Sequence, residues 1–258
     1  MRSSKKYTWA EIKEKFTIYE DAAILALNKP AGLSVVGDRI ELDIMKLGKE
    51  AGEKLHPVHR IDKETSGLIL FAKNPIIHAE LAYQFAKRTV EKKYLAITKS
   101  VHLPKQGTIN LPLSVGRKNK IRVATLRNNI VYDNEKKYWS VLAENILANV
   151  KNYPSSTNID NIWNNEKYTL LLINPITGRQ HQIRVHLAWI GYPIYGDPLF
   201  NKNDSSERTY LHSWSIVFNA NWLNNAPTEI KAPPNEDFWA PISENLSVDK
   251  AHTLLTNS

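Results

Sequence analysis

The sequence has no cysteine and no long apolar stretch. The lack of cysteine excludes disulfide bonds, thiolate nucleophiles and metal sites with cysteine ligands. The longest apolar runs, Ile24 to Leu27 and Leu170 to Ile173, have the length of strands and fall far short of the roughly 18 residues of a membrane helix. The first residues also lack the apolar region of a secretory signal. We therefore expect a soluble, cytoplasmic protein.

The composition permits one sizeable domain or two small lobes. Of the 258 residues, 42% are hydrophobic, which is enough for a proper core. The formal charge of +8 favours a polyanionic partner, because Lys and Arg release counterions when they neutralise phosphates. A composition biased toward Lys and Asn would give the same surplus without any partner. Charge alone leaves both explanations open.

Several stretches predict helices and strands by their local pattern. Asn74 can cap a helix that has Pro75 at its first position, and an apolar stripe follows it. Helical spacing is also present from Leu42 to Glu53, and from about Gln180 to Ile190 before Gly191. Residues 106–127 are predicted to form two strands around the basic turn at 116–120, which suits either a phosphate contact or a solvated hairpin tip.

The most informative stretch is HRIDKETSG at residues 59–67. A Thr-Ser-Gly turn here leads into the apolar run Leu68 to Ala72, so Asp62 lies on a loop at the mouth of a predicted strand. Catalytic carboxylates are often presented in this way. A structural explanation is equally compatible with the residues, since Asp62 and Thr65 can form an Asx or ST turn before an ordinary strand.

These nine residues resemble the signature H-R-[LI]-D-x-x-T-S-G of the RluA-type pseudouridine synthases. Further family motifs follow the same order along the chain: NKPAGL, FAKRTVEKKYLAI, PITGRQHQIRVHLAWIGYPIYGD and Leu211-His212. The resemblance extends from Asp21 to Phe238. It departs from the family where a G-K-x-A-x-T segment is usual and this chain has NEKKYW at residues 134–139.

The resemblance implies an α+β protein with the pseudouridine synthase fold. This fold has a central mixed, mainly antiparallel sheet with flanking helices and two halves around a catalytic cleft. We expect a lead-in at residues 1–17, a catalytic domain at 18–240 with a surface insertion at 144–166, and a C-terminal tail at 241–258. Many relatives carry an N-terminal S4 RNA-binding domain, and we expect this chain to be the short form without it.

The resemblance also implies the chemistry. Pseudouridine formation breaks the N1–C1′ bond of a uridine in RNA, turns the uracil and rejoins it through C5, so we expect neither a cofactor nor a metal. Asp62 is implied as nucleophile at C1′ or as base at C2′. Arg184 is implied as its buried ion-pair partner, which would keep the carboxylate charged. Tyr94 is implied to stack on uracil and to handle a proton, although a strand tyrosine is by default a core residue.

A second group of residues is expected to bind the substrate. Arg60 is implied to fill the space that the flipped base leaves, and a plain phosphate contact is the alternative. Ile61 is expected to pack beside the pocket. The remaining substrate-binding residues implied by the resemblance are Thr65, Lys29, Arg179 and His181. The expected partner is ribosomal or transfer RNA, bound by a monomer.

Three other functions are compatible with parts of the sequence. His56, His59, His181 and His186 suggest a metal hydrolase, but the second pair is five residues apart and no H-E-x-x-H motif is present. Asp62 with Thr65 suggests an aspartyl phosphotransferase, but Glu64 stands where a second aspartate would be needed. A noncatalytic RNA-binding or RNA-chaperone protein would have the same basic surface without requiring Asp62.

Overall fold

The computed structural model describes residues 7–37, 43–99, 102–202, 204, 206–223 and 226–256. The chain forms two compact units. The first unit consists of Met1–Lys93 and Leu211–Asn235, and the second of Tyr94–Tyr210 and Glu236–Ser258. The first unit is therefore discontinuous in sequence, since its last two strands come after the main part of the second unit.

The described residues contain helices and strands that alternate along the chain. The helices are α1 (Trp9–Phe16), α2 (Ile44–Glu50), α3 (Pro75–Lys87), α4 (Gln182–Trp189), α5 (Glu236–Trp239) and α6 (Val248–Thr256). The strands are β1 (Thr17–Glu20), β2 (Ile24–Lys29), β3 (His56–Pro57), β4 (Ser66–Ala72), β5 (Glu91–Thr98), β6 (Gln106–Asn110), β7 (Leu113–Val115), β8 (Ile121–Val123), β9 (Ile130–Asp133), β10 (Tyr138–Val141), β11 (Asn152–Tyr153), β12 (Ser156–Asn164), β13 (Thr169–Pro175), β14 (Leu211–Ala220) and β15 (Ala226–Lys231).

The sheet of the first unit has the strand order β1-β2-β4-β14, with β3 paired to β4 and β15 paired to β14. β4 and β14 run parallel, and the other pairs within this unit are antiparallel. β4 is buried along its whole length, which explains its continuous apolar sequence. Helix α3 packs on β4 and begins as predicted, because the Asn74 side chain accepts a hydrogen bond from the Ile77 amide and Pro75 occupies the first turn.

The second unit contains a sheet with the order β5-β13-β12-β6-β10-β9 and a separate three-stranded sheet with the order β11-β7-β8. Only the pairing of β10 with β6 is parallel among the strand pairs described in this unit. Helix α4 packs against β8 and β12. The mixed, mainly antiparallel sheet and the flanking helices confirm the predicted fold class.

Two segments differ from the expectations. The surface insertion expected at 144–166 includes β12, which lies between β13 and β6 and buries Thr157, Ile159 and Asn161. The polar residues of β12 and the register shift between Asn161 and Trp163 interrupt the alternation of polar and apolar residues by which a strand is recognised. The tail at 241–258, which the sequence predicts to be dispensable or disordered, contains α6 and buries Ile242, Leu246 and Ala251. The domain limits themselves stay predictions.

Some predictions fall partly outside the described residues. The helix predicted for 42–53 is present as α2, but residue 42 lies outside the described part of the chain, as do residues 1–6 of the lead-in and the last two residues of the tail. None of the described helices has the length and hydrophobicity of a membrane-spanning segment.

Candidate active site

The loop that carries Asp62 makes a tight turn directly before β4. The Thr65 amide donates to the Asp62 carbonyl over 3.1 Å, so the turn is closed through the backbone. Ile61 and Thr65 are buried, Asp62 is half-buried and Arg60 is exposed. Ile61 and Thr65 therefore anchor the loop, whereas Asp62 is partly and Arg60 largely accessible to solvent.

Lys29 supports this loop from the neighbouring strand end. Its ammonium donates to the carbonyls of Pro30, Leu33 and Lys63 over 2.9, 2.8 and 3.1 Å, and the residue is only 1% exposed. The Gly32 amide also donates to the Lys63 carbonyl, over 2.8 Å. Lys29 therefore links the NKPAG segment to the residue after Asp62. The substrate-binding role expected for Lys29 stays a prediction, and its observed contacts are those of a structural brace.

The far end of the loop is fixed onto β14. Gly67 has φ of +103°, and a Cβ atom there would lie 2.2 Å from the Ser213 carbonyl oxygen, so no other residue fits. The Ser66 hydroxyl lies 2.9 Å from His212 Nδ1, and His212 Nε2 lies 2.7 Å from the Ala232 carbonyl. Because a carbonyl only accepts, Nε2 of His212 carries a proton.

His59, at the start of the loop, is a neutral structural residue. Its Nε2 accepts a hydrogen bond from the Leu70 amide over 3.0 Å, and its ring stacks on Phe85 with 5.0 Å between centroids. Burial, together with the nearby Lys92 charge, lowers the pKa of His59 to about 3. The backbone amide therefore occupies one of the two nitrogens through which a histidine can bind a metal. The described residues contain no group of three or more His, Asp or Glu side chains suited to a metal ion.

In the second unit, Arg184 forms a buried ion pair with Asp197. Arg184 Nε and Nη2 lie 2.8 Å from Asp197 Oδ2 and Oδ1 respectively. Oδ1 also accepts from the amides of Leu199 and Phe200. Burial raises the pKa of Asp197, but Arg184 and the two amides lower it more, so the net pKa lies below the usual value. Asp197 therefore stays ionised.

Asp197 is not among the site residues predicted from the sequence. The predicted partner of Arg184 is Asp62, and that pairing stays a prediction. The available signal was the Gly-Asp pair in the PIYGD segment, where an aspartate follows a glycine after a helix. Gly196 has φ of +72°, and a Cβ atom there would lie 1.9 Å from the Arg208 carbonyl oxygen. The glycine allows the sharp turn from which Asp197 reaches the guanidinium.

The TGR segment before α4 is held by Gln182. Gln182 Oε1 accepts from the Thr177 hydroxyl over 2.6 Å and from the Arg179 amide over 3.0 Å. Gln182 Nε2 donates to the Ser156 carbonyl and to the Thr157 hydroxyl, each over 2.9 Å. The buried amide therefore fixes this segment to β12, and the exposed Arg179 side chain projects from a rigid base.

The other predicted residues of this unit lie on the same helix start or on β5. His181 immediately precedes α4 with φ of +53°, and its ring lies 5.9 Å from that of Phe200. Tyr94 is half-buried on β5, opposite Ile173 of β13. The structure thus groups Lys29, Arg60, Ile61, Asp62 and Thr65 at one loop of the first unit. It groups Arg179, His181 and Arg184 around the start of α4 in the second unit.

Comparisons with known proteins agree with this arrangement of motifs. Residues 23–189 match the family model described as RNA pseudouridylate synthase. An uncharacterized RNA pseudouridine synthase of Haemophilus influenzae is 31% identical over 225 residues, which cover 86% of this chain and 89% of that protein. Ribosomal large subunit pseudouridine synthase C of Rickettsia bellii is 36% identical over 215 residues, covering 80% and 64% of the two chains.

A solved structure shows the same fold at lower identity. The human protein RNA pseudouridylate synthase domain containing 4 superimposes with a TM-score of 0.69 over 89% of this chain and 92% of its own. The two sequences are 22% identical. The similarity therefore concerns the architecture rather than individual side chains.

Proposed function

Since the chain belongs to the RNA pseudouridylate synthase family, we propose that Asp62 is the carboxylate with which it converts uridine in RNA to pseudouridine. The protein is an isomerase that acts on RNA. The reaction breaks the N1–C1′ bond, turns the base and forms a C5–C1′ bond, with loss of the C5 proton. It needs an ionised carboxylate against the ribose and neither redox chemistry nor an energy source.

The observation that carries this assignment is the fixed position of the Asp62 loop. Lys29 braces the carbonyl of the next residue, and the close approach of Gly67 to Ser213 pins the other end. Preorganisation of this kind favours catalysis, because a reacting group that is already in position loses little freedom in the transition state. Asp62 itself is half-buried and not enclosed in the core.

The other proposed roles follow from the matched motifs. Asp62 acts either as nucleophile at C1′ or as base at C2′, and Arg184 favours its ionised form. Tyr94 stacks on uracil and handles a proton late in the reaction. Arg60 fills the space of the flipped base and Ile61 packs beside the pocket. Thr65, Arg179 and His181 contribute to substrate binding.

We propose large-subunit ribosomal RNA as the substrate, in the cytoplasm, with a monomeric enzyme. The support for the RNA class is the name of the Rickettsia bellii relative, a ribosomal large subunit synthase that shares 36% identity. Transfer RNA is the alternative substrate. A noncatalytic RNA-binding protein is the alternative function, because it would have the same cationic surface.

Release of tritium from RNA labelled at C5 of uridine tests the proposal. Ribosomal and transfer RNA are incubated separately with the wild type, Asp62→Asn and Glu64→Gln, with and without magnesium. Glu64 is the matched control, since it is a carboxylate of the same loop. We expect release from ribosomal RNA by the wild type and Glu64→Gln, no release by Asp62→Asn, and no effect of magnesium.

Each other outcome identifies the part that fails. Release by Asp62→Asn at the wild-type rate contradicts the role of Asp62. Release from transfer RNA alone contradicts the substrate class. Tight RNA binding by the wild type without release from either RNA favours the noncatalytic alternative.

A further inference from the structure

The three-stranded sheet of the second unit carries a group of cations without acidic neighbours in sequence. We call β11, β7, β8 and the turn at 116–120 the basic sheet. Residues 111–132 and 145–159 contain no Asp or Glu. The cations of the basic sheet and its borders are Arg117, Lys118, Lys120, Arg122 and Lys151. Arg122 is half-buried and the other four are exposed.

These cations differ from several others in the described chain. Among the described residues, none of the five is within ion-pair distance of a carboxylate. By contrast, other Lys and Arg residues have such partners, as in the pairs Lys73–Glu20, Lys99–Asp204, Lys136–Asp133, Arg208–Asp237 and Lys231–Glu229. The positive charge of the basic sheet is therefore concentrated and uncompensated within the described protein.

The turn of the basic sheet has a defined backbone. The Gly116 amide donates to the Lys120 carbonyl over 2.7 Å, and the Lys120 amide donates to the Arg117 carbonyl over 3.3 Å. Lys118 and Asn119 have φ of +56° and +57°, a region that residues with a Cβ atom rarely adopt. Strained backbone of this kind is often retained at ligand-binding sites. The turn holds three cationic side chains on a fixed frame.

The sheet behind the turn is firmly anchored. Leu113, Ile121 and Val123 are buried, and helix α4 packs against β8. The Tyr153 ring of β11 lies 5.4 Å from both the Lys151 ammonium and the Arg179 guanidinium. The basic surface is thus continuous with Arg179, which the proposed function assigns to substrate binding.

We propose that the basic sheet binds the sugar–phosphate backbone of a double-stranded segment of the RNA substrate, outside the target nucleotide. This inference rests on the proposed function, which identifies RNA as the substrate. Proteins that bind single strands combine cations with exposed aromatic platforms. In the described basic sheet the one aromatic residue is Tyr153, which is half-buried between two cations. Its composition therefore suits phosphates, which position an RNA helix without reading its sequence.

Two hairpin turns of the same unit provide a matched pair of variants. Lys118→Asn with Lys120→Gln removes two charges from the basic sheet, and Asn tolerates the positive φ of Lys118. Lys137→Asn with Lys136→Gln is the control: it removes two charges from the β9–β10 turn, where Lys137 has φ of +52° and Lys136 lies 3.6 Å from Asp133. Both variants change the net charge equally.

The measurement is the Kd for an RNA stem-loop as a function of KCl concentration. Each lost phosphate contact lowers the slope of log K against log salt by about 0.7 to 0.9. For Lys118→Asn with Lys120→Gln we expect a slope smaller by about 1.5 and binding about 30-fold weaker near 0.1 M salt, converging with the wild type near 1 M. The control should stay within about twofold of the wild type.

Further readings separate this proposal from its alternatives. Equal Kd values and slopes for the two double variants overturn it, while wild-type tritium release decides the proposed function independently. An equal loss on single-stranded RNA of the same length overturns the double-strand assignment. Lys118→Arg with Lys120→Arg keeps both charges and should bind the stem-loop as the wild type does. Weak binding by this variant would mean that the shape of the turn and not its charge is needed, which overturns the role of charge.

Discussion

Arg184 and Asp197 form a buried ion pair with two parallel contacts of 2.8 Å, one from Nε and one from Nη2. The two side chains are 2% and 0% exposed. The amides of Leu199 and Phe200 also donate to Asp197 Oδ1, so each carboxylate oxygen accepts at least one hydrogen bond. The pair fixes the direction of the guanidinium on α4, a residue to which the proposed function assigns a catalytic role.

Removal of Asp197 should destabilise the protein far more than removal of an exposed aspartate. Asp197→Ala leaves a buried charge without its partner, which costs about 3 to 5 kcal/mol of unfolding free energy. Asp237→Ala is the control, because Asp237 pairs with Arg208 but is 63% exposed, and such pairs contribute less than about 1 kcal/mol. Urea unfolding of both variants measures the difference. Equal losses would show that the buried pair contributes no more than the exposed one.

Gly67 should tolerate no side chain. Gly67→Ala would place a Cβ atom 2.2 Å from the Ser213 carbonyl oxygen and force β4 away from β14. We expect a loss of at least about 3 kcal/mol in stability, together with loss of activity. Gly52→Ala is the control for backbone strain alone, since Gly52 has φ of +86° with no atom within 4 Å of its Cβ position. That variant should lose about 1 to 2 kcal/mol. A similar small loss for Gly67→Ala would contradict the close approach.

His186 should make stability depend on pH. Thr157 Oγ1 and the Leu111 carbonyl lie 2.9 Å from its two ring nitrogens, and burial lowers the pKa of His186 to about 4. In the unfolded chain its pKa returns to about 6.5, so between pH 6.5 and 4 the unfolded state binds a proton that the folded state does not. The contribution is fully present above pH 6.5 and falls by about 1.4 kcal/mol per pH unit below it.

The unfolding free energy at pH 7, 6 and 5 tests this expectation. Between pH 6 and 5, the unfolding free energy of His186→Gln should depend less steeply on pH than that of the wild type. The slope should be smaller by up to about 1.4 kcal/mol per pH unit, which corresponds to one proton. A variant with the wild-type slope would mean that other groups cause the pH dependence. His59, whose pKa is about 3 for the same reason of burial, should add a second contribution with the same sign.

Arg60 should matter most for folded RNA. If its side chain fills the space of a flipped base, Arg60→Ala weakens binding to folded RNA by about tenfold or more and leaves unstructured RNA nearly unaffected, because only the stacked base must be replaced. Binding titrations with the two kinds of RNA measure this. Arg60→Lys separates shape from charge: full recovery with Lys, or equal losses on both RNAs, would favour a plain phosphate contact.

The sequence predicted the features that depend on local patterns. The Asn74 cap, the basic turn at 116–120 between two strands and the end of α4 near Gly191 were all found where expected. The strand predicted before that turn is divided into β6 and β7, which belong to different sheets. The signals for the cap, the turn and the helix end each lie within a few residues of each other, so no knowledge of the tertiary structure was needed. The Asp62 loop was likewise recognised from nine consecutive residues.

The features that sequence reasoning missed depend on distant partners. The polar composition of β12 is typical of a surface segment, so the strand was predicted as a surface insertion. In the structure, its buried Thr157 hydroxyl forms hydrogen bonds with His186 and Gln182 of α4. The substrate-binding role of Lys29 stays a prediction, whereas its contacts with the carbonyls of Pro30, Leu33 and Lys63 are an environment that a sequence cannot reveal. Asp197 was missed because an ion pair leaves no periodic pattern.

The bond between Ser66 and His212 joins residues that are 146 positions apart. Contacts of such high sequence separation form late, since a long loop must close first. During synthesis the first unit lacks β14 until the residues from Leu211 onward have left the ribosome. We therefore expect the Asp62 loop to become protected from proteases only after Ala232, the acceptor of His212, has emerged. Proteolysis of ribosome-bound chains of increasing length would show this step, and its consequence is that the Asp62 loop becomes ordered only after most of the second unit has been translated.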